Sequence, residues 1–476
     1  MSISDAAVPL VVDLDGTLLR GDTLHEVVFG ALFSSPIAVL RAFGAMSRGG
    51  KGAFKAAVSP VCAGMAARLP ARREILELID RHREDCGRVI LATGAHRSIA
   101  EAVARRFGVF DEVLATESSG ENFIGDRKRD ELVRRYGSRG FDYVGDSRAD
   151  LPVWGEARNA YVVGRLGDGT LRLAGRSIER IAPAERDPRV WKALRPHQWV
   201  KNLLVFLPVL AAHRIADMAA LAASALAFCA FSAAASLVYL VNDLADRDSD
   251  RSHRSKRRRP IAWGNVGPLH ALVVAAGLVV ILVGLCAFLP VAAGAAISVY
   301  LAVNLAYSLH FKKRLLVDVF LLAWMYVWRV VTGGAATGIH LTSWLLGFSG
   351  FAFLSLALAK RYAEVVRLDT TKEDSAKGRA WKAGDALVLM AAGVGSGFGG
   401  ALVLALYVTG DSFTKFYRNP NIAMLLAPLF LYWNIRIWIQ AVRLELHEDP
   451  VIFAAKDQIS YGVLAVAVLI LAAAMV

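Results

Sequence analysis

Beyond residue 190 the sequence becomes a succession of apolar runs, most near the ~20 residues a helix needs to cross a bilayer. Lipid offers no hydrogen bonds to an open backbone, so such runs fold as helices that satisfy their own amides. Nine candidates are legible, at 199–212, 217–243, 267–288, 291–309, 315–336, 343–362, 384–408, 421–442 and 459–476. Composition agrees: 55% of the residues are hydrophobic, and a mean hydropathy of +0.42 is too high for an ordinary soluble protein. At 476 residues the chain is also too long for one compact domain.

Loop charge sets the expected orientation. Lys and Arg crowd the loops near 244–260, 310–314 and 360–382 and are scarce near 213–216, 289–290, 337–342 and 409–420. The basic loops and the N-terminal segment are thus expected in the cytoplasm, and the C-terminus outside a bacterial plasma membrane. The start, "MSISDAAVPLVVDLDGT", has neither a basic region nor a long apolar stretch and does not read as a secretory signal. Cys62, Cys86, Cys229 and Cys286 form no CxxC pair and read as reduced apolar residues. The net charge of +13 suits anionic partners. The basic residues follow the membrane plane, which argues against nucleic acid.

Before residue 165 the pattern is that of an α/β domain. "VPLVVDLDGTLLRGD" is an apolar strand ending in Asp13 and Asp15. "GRVILATGA" ends at Thr93, and "FDYVGDSRAD" at Asp146, with Asp150 following. Lys128 stands between them in "GDRKRDEL". Strands of one parallel sheet bring such residues to its C-terminal edge, where ligands bind. Residues 166–198 form a linker; its "WKALRPHQWVK" mixes aromatic and basic residues as an interfacial helix does.

Asp13, Asp15, Thr93, Lys128 and Asp146, in this order, resemble the motifs of the haloacid dehalogenase superfamily over 8–165. The resemblance implies a Rossmann-like domain with a helical cap within 18–88. It implies that Asp13 is a nucleophile forming an aspartyl phosphate and Asp15 a general acid/base, while Thr93 and Lys128 hold phosphoryl oxygens. Asp146, Asp13 and the Asp15 carbonyl would bind Mg2+, aided by Asp150. An acid at position 15 favours a phosphatase.

The second constellation, "NDLADRDSD", closes an apolar run with Asn242, Asp243, Asp246 and Asp250. Spacings of three and four put the acids on one helix face, where they repel unless a cation lies among them. Hard oxygen ligands at a cytoplasmic membrane edge suit Mg2+ and a diphosphate. Asp248 lies off that face, and the basic run with Arg257, Arg258 and Arg259 adds positive charge for phosphates. His253 is at best a secondary ligand. Arg329, inside an apolar run, is costly in lipid and is expected to face a cavity.

This motif resembles NDxxDxxxD of the UbiA prenyltransferase superfamily, and "YSLHFKK", with Tyr307 and Lys312, resembles another of its motifs. "LRPHQWVKNLLVFLP" and "AKRYAEV" are similar to its decaprenyl-phosphate phosphoribosyltransferase branch. The likeness covers 190–476. It implies a nine-helix bundle over 199–476 that moves 5-phosphoribose from phosphoribosyl diphosphate (PRPP) to a polyprenyl phosphate, with at least one Mg2+ in each domain. Lys201, Lys360 and Arg361, beside Tyr362, join Lys312 as expected phosphate contacts. Asp369 and Glu373 imitate a second acidic motif but read as loop solvation. The N-terminal domain is then expected to remove the 5-phosphate. The rival enzyme is a prenyltransferase fused to an unrelated phosphatase, and the rival outside catalysis is a membrane scaffold. Oligomeric state stays open.

Overall fold

The computed structural model describes residues 8–35, 68–85, 87–117, 122–164, 166–175, 177–182, 190–252, 256–371, 380–410, 417–446 and 449–475, with positions 37, 39, 41–45, 47, 54 and 57. Cys62, Cys86, His253, Glu373 and much of the expected cap lie outside them, as does the Asp369 side chain. The chain divides into two compact units: Met1–Ala193 with Leu240–Ala275, and Leu194–Tyr239 with Ala276–Val476. The acidic segment after Tyr239 thus clusters with the N-terminal unit, whereas the sequence reading assigned it to the membrane half.

The first unit is built on a parallel sheet of β1 (Leu10–Val12), β2 (Val89–His96), β3 (Glu112–Thr116), β4 (Asp142–Gly145), β5 (Ala160–Val163) and β6 (Glu179–Ala182). Their order is β3-β2-β1-β4-β5-β6. The nearly continuous apolar runs of β1 and β2 are what a sheet covered on both faces requires. The order reverses between β1 and β4, and that switch point opens a crevice beyond their carboxyl ends. The expected cap segment divides. Helix α1 (Thr23–Ser34) is N-capped by Asp22, whose side chain accepts from Leu24 N and His25 N. Helix α2 (Arg73–Glu84) buries Ile75 and Ile79 and packs against β2 and β6, so it is a crossover helix of the sheet. Helices α3 (Arg97–Phe107), α4 (Asp126–Tyr136) and α5 (Leu151–Glu156) complete the layers.

Among the described residues, eight helices are long and apolar enough to cross a membrane. They are α6 (Met218–Ala245), α8 (Pro268–Ala287), α9 (Val291–Leu309), α10 (Val317–Thr337), α11 (Ser343–Thr371), α12 (Ala386–Val408), α13 (Leu426–Val442) and α14 (Gln458–Met475). The short helix α7 (Arg247–Ser252) follows α6. The ninth expected span, 199–212, is not among them. Pro196–Phe206 is a tight 3-10 helix, and only Leu207–Ala211 after it is α-helical. Pro208 there lacks an amide hydrogen, so it cannot extend the preceding hydrogen-bond ladder.

Apolar side chains project outward from these helices, among them Val280 and Val283 on α8 and Leu464 and Leu469 on α14. Such faces belong in lipid, and the chain is an integral membrane protein. Bare glycine surfaces bring helices close. A Cβ at Gly333 would lie 2.0 Å from the Val205 carbonyl oxygen, and one at Gly393 would lie 2.0 Å from the Trp438 ring. Polar contacts add to this: Ser355 donates to Gly393 O and accepts from Trp438 Nε1 at 3.0 Å. At 28 residues, α6 is roughly 42 Å long against a hydrocarbon core of ~30 Å, long enough to cross it with a tilt or with an end beyond the core.

Candidate functional sites

Asp13 follows β1 and Asp146 follows β4, on either side of the switch point. Gly16 makes their approach practicable. Its φ is +73°, and a Cβ there would lie 2.0 Å from Asp146 Oδ2. Lys128, projecting from α4 and buried, places Nζ 2.8 Å from Asp13 Oδ1. It also lies 3.0 Å from the Tyr143 hydroxyl, which donates to Asp150 Oδ1 at 2.6 Å. Tyr143 is a site residue the sequence reading missed; inside an apolar strand it is indistinguishable from core. Arg129, the neighbour of Lys128, pairs instead with Asp126 and Asp130 at the surface.

Carboxylate oxygens of Asp13, Asp146 and Asp150 lie within 4.8 Å of one another. Both Asp150 oxygens are engaged. Oδ1 takes Tyr143, while Oδ2 accepts from Asp146 N, Ser147 N and Ser147 Oγ. Asp150 therefore shapes the loop that presents Asp146, and Asp13 and Asp146 are the more available ligands. Such an all-oxygen set fits a hard divalent cation. Asp15 turns elsewhere: its Oδ1 accepts from Thr23 N at 2.7 Å. Beside it lies a cavity of about 70 Å³ lined by Asp15, Asp22, Thr23, Leu24, Ala95, His96 and Ile99. Thr93 is buried, and its hydroxyl accepts from Ala95 N at 2.9 Å.

Charge is costly in this enclosure. Burial above all raises Asp13 to about 6, Asp15 to about 7 and Asp146 to about 8, and neighbouring carboxylates add to each shift. Burial alone would lower Lys128, but Asp13 and Asp150 outweigh it and its pKa is raised. The acid values all exceed the ~3.9 of an unfolded Asp. Stability from these acids is therefore present below that pH and lost as pH rises through about 6 to 8. A metal requires the ionised forms, so Mg2+ affinity has the opposite trend: it is expected to rise ~10-fold per pH unit for each proton displaced. Mg2+ binding titrations at pH 6 and pH 8 check this; equal half-saturating concentrations contradict it.

The acidic segment forms a second site in the same unit. Asp246 N donates to Asn242 O and Asp250 N to Asp246 O, both at 2.8 Å, so helical spacing carries across the junction of α6 and α7. Asp243 and Asp250 are each 2% exposed. They converge on one guanidinium: Arg259 Nη1 lies 3.2 Å from Asp243 Oδ1 and 2.7 Å from Asp250 Oδ2. Arg259 thus stands where these carboxylates would share a cation, and the pair fits Mg2+. Asn242 and Asp246 are half-buried, Arg257 is exposed, and Asp248 pairs with Arg251 at 3.1 Å.

In the second unit, Asp449 gathers cations. Lys201 and Lys360 each place Nζ 2.9 Å from Asp449 Oδ2, and Tyr326 donates to Oδ1 at 2.6 Å. Arg329 Nε donates to Asn202 Oδ1 at 2.9 Å, and its guanidinium lies 5.4 Å from the centre of the Tyr326 ring. Lys201 Nζ lies 5.7 Å from the same centre. Asp449, Tyr326 and Asn202 escaped the sequence reading. Arg361 is fully buried; its Nε is 2.9 Å from Asp318 Oδ2, and it also pairs with Glu364. Tyr362 is buried edge-on against Trp438. Tyr307 is buried in the helix core, and Lys312 is half-buried in the turn Phe311–Lys313.

Residues 203–448 match the model of the UbiA prenyltransferase family. The chain belongs to that family. Residues 10–154 of this UbiA protein match the haloacid dehalogenase-like hydrolase model, so it is a fusion of the two. Both domains are those of enzymes that characteristically use Mg2+. Over 466 residues, 96% of its length, it is 35% identical to "Uncharacterized protein y4nM" of Sinorhizobium fredii, and the match covers 89% of that protein. Over 188 residues, 38% of its length, it is 42% identical to the decaprenyl-phosphate phosphoribosyltransferase of Mycobacterium tuberculosis, of which 62% is covered. A solved UbiA homolog from Archaeoglobus fulgidus, bound to GPP and Mg2+, superposes with a TM-score of 0.45 at 15% identity, over 60% of this chain and 99% of that one.

Proposed function

We propose that this UbiA protein transfers 5-phosphoribose from PRPP to a polyprenyl phosphate, and that its N-terminal domain then removes the 5-phosphate. The observation that carries the reading is the charge of the Asp449 cluster. Lys201 and Lys360 bring two positive charges to one carboxylate, and the Arg329 guanidinium lies over the ring of Tyr326, whose hydroxyl donates to the same carboxylate. A buried surplus of this kind asks for an anion, and a phosphate monoester dianion supplies it. PRPP carries a 5-phosphate beside its diphosphate, and the acceptor carries another. A prenyl diphosphate donor with an aromatic acceptor brings no such third phosphate.

Asp243 and Asp250 are the residues that would hold a divalent ion at the acidic segment, as would Asp13 and Asp146 in the other site. Bound Mg2+ would neutralise the leaving diphosphate at the first and the phosphoryl oxygens at the second. The acceptor phosphate attacks ribose C1 already as an anion, so the transferase site needs no strong base. Lys201 and Lys360 hold a substrate phosphate, and the acidic segment stabilises charge as the C1–O bond breaks. In the phosphatase site Asp13 attacks phosphorus, and Lys128 offsets the repulsion between carboxylate and phosphate. Asp15, near neutrality in pKa and held by Thr23 N, donates a proton to the leaving alkoxide and then takes one from water.

The reading is tested by incubating membranes containing the protein with ribose-labelled PRPP and polyprenyl phosphate. Label is expected in the lipid extract. Transfer of label from a prenyl diphosphate to an aromatic acceptor, with none from PRPP, would choose the rival enzyme. Lys201→Gln is expected to raise the KM for a phosphate-bearing substrate ~10- to 100-fold, the loss of one buried charged hydrogen bond. An unchanged KM for both substrates would remove Lys201 from the site.

A further inference from the structure

Glu26, three residues beyond the Thr23 that holds Asp15, is 2% exposed. Two guanidiniums from the acidic segment meet it. Arg247 Nε donates to Oε2 at 3.2 Å, and Arg251 Nη2 donates to Oε1 at 2.6 Å. Phe29, about one turn farther along α1, lies under Arg247 at 4.5 Å. Nearby, Arg20 lies 4.9 Å from the Trp263 ring, and a Cβ at Gly264 would sit 2.7 Å from Arg20 O. The stretch 20–29 of the hydrolase domain thus grips α7 and the turn after it, all within the first compact unit.

On α7, Arg247 and Arg251 are four residues apart and share a face. Asp250, one residue from Arg251, is turned about 100° around the axis, toward Arg259 and Asp243. Fixing the two arginines fixes the rotation of α7, and that rotation decides whether Asp250 meets Asp243. Nothing in the phosphatase chemistry uses Glu26.

We infer that Glu26 is a positioning residue for the acidic segment: by holding Arg247 and Arg251 it sets Asp250 opposite Asp243, so the hydrolase domain completes the metal grip of the membrane reaction. This rests on the reading of Asp243 and Asp250 as metal ligands, not on the identity of the donor. The fusion then has a physical purpose besides sequential chemistry, since the transferase site is finished by its neighbour.

The test counts Mn2+ bound to the detergent-solubilised full chain by electron paramagnetic resonance. An Asp146→Asn background removes the hydrolase ion and leaves the acidic-segment ion, which Asp243→Asn removes in turn. Glu26→Gln keeps shape and avoids the folding risk of Glu26→Ala. It is expected to weaken Mn2+ at the acidic segment ~10- to 100-fold, the usual cost of losing a group that orients a ligand. Arg251→Gln should do the same, and the double variant should be no worse than either single one. In the Asp243→Asn background, Glu26→Gln should leave Mn2+ at the hydrolase site unchanged. Unchanged affinity at the acidic segment, additive losses, or equal loss at both sites would each overturn the inference. If the wild type binds Mn2+ through Asp243 yet moves no ribose from PRPP, the donor reading fails while the role of Glu26 stands.

Discussion

Membranes carrying the Asp13→Asn protein, given PRPP and polyprenyl phosphate, are expected to accumulate a lipid one phosphoryl group heavier than the wild-type product. The amide is isosteric with the carboxylate but cannot attack phosphorus. Loss of the nucleophile is expected to slow phosphatase turnover on the order of a thousand-fold or more. The fold should survive. Lys128 keeps Tyr143 at 3.0 Å and Asp150 at 3.6 Å, so its charge is not stranded. Ribosyl transfer should continue, since Asp13 lies in a separate chemical site. Mass spectrometry of the extracted lipid reads the result directly. An identical product from variant and wild type would show that the hydrolase domain acts on something else.

Asp243→Asn is expected to do the opposite and stop lipid labelling. Asp243 is buried at the end of α6, where its Oδ1 shares Arg259 with Asp250. Removing one of two convergent carboxylates leaves Arg259 half-compensated and halves the negative charge available to a divalent ion. Losing that neutralisation of the leaving diphosphate costs several kcal/mol, on the order of a thousand-fold in rate. Hydrolysis of a soluble phosphate monoester by the same preparation should stay within a factor of about two, because Asp243 has no part in the chemistry assigned to Asp13, Asp15 and Lys128. Parallel loss of both activities would point to misfolding.

Much of this was legible in the sequence, for reasons that differ by residue. Asp13, Asp15, Asp146 and Asp243 stand where an apolar run stops, and acids at such ends are conspicuous. Lys128 was legible only as one of three adjacent cations; burial separates it from Arg129. Asp449 was not legible. It sits in a short loop beside Pro450, where an acid reads as a helix cap, and it does cap the turn that follows. Its second role depends on Lys201 and Lys360, which only the packing of three distant segments brings together. Arg361 reads as a phosphate contact from its neighbours "AKRY", yet Asp318 occupies it. Such a pair, buried on two helices, leaves no local periodicity to detect. Hydrophobicity marks 199–212 as a span but does not report how tightly a helix with prolines at 196 and 208 is wound.

The acidic segment's proposed task is to draw diphosphate off a phosphoribosyl donor. The most direct measurement is the diphosphate released per ribose appearing in lipid, with purified protein, PRPP, polyprenyl phosphate and Mg2+. One diphosphate per ribose, abolished by EDTA and by Asp243→Asn, is the predicted result. Diphosphate released from a prenyl diphosphate but not from PRPP, or transfer undiminished in excess EDTA, would contradict it.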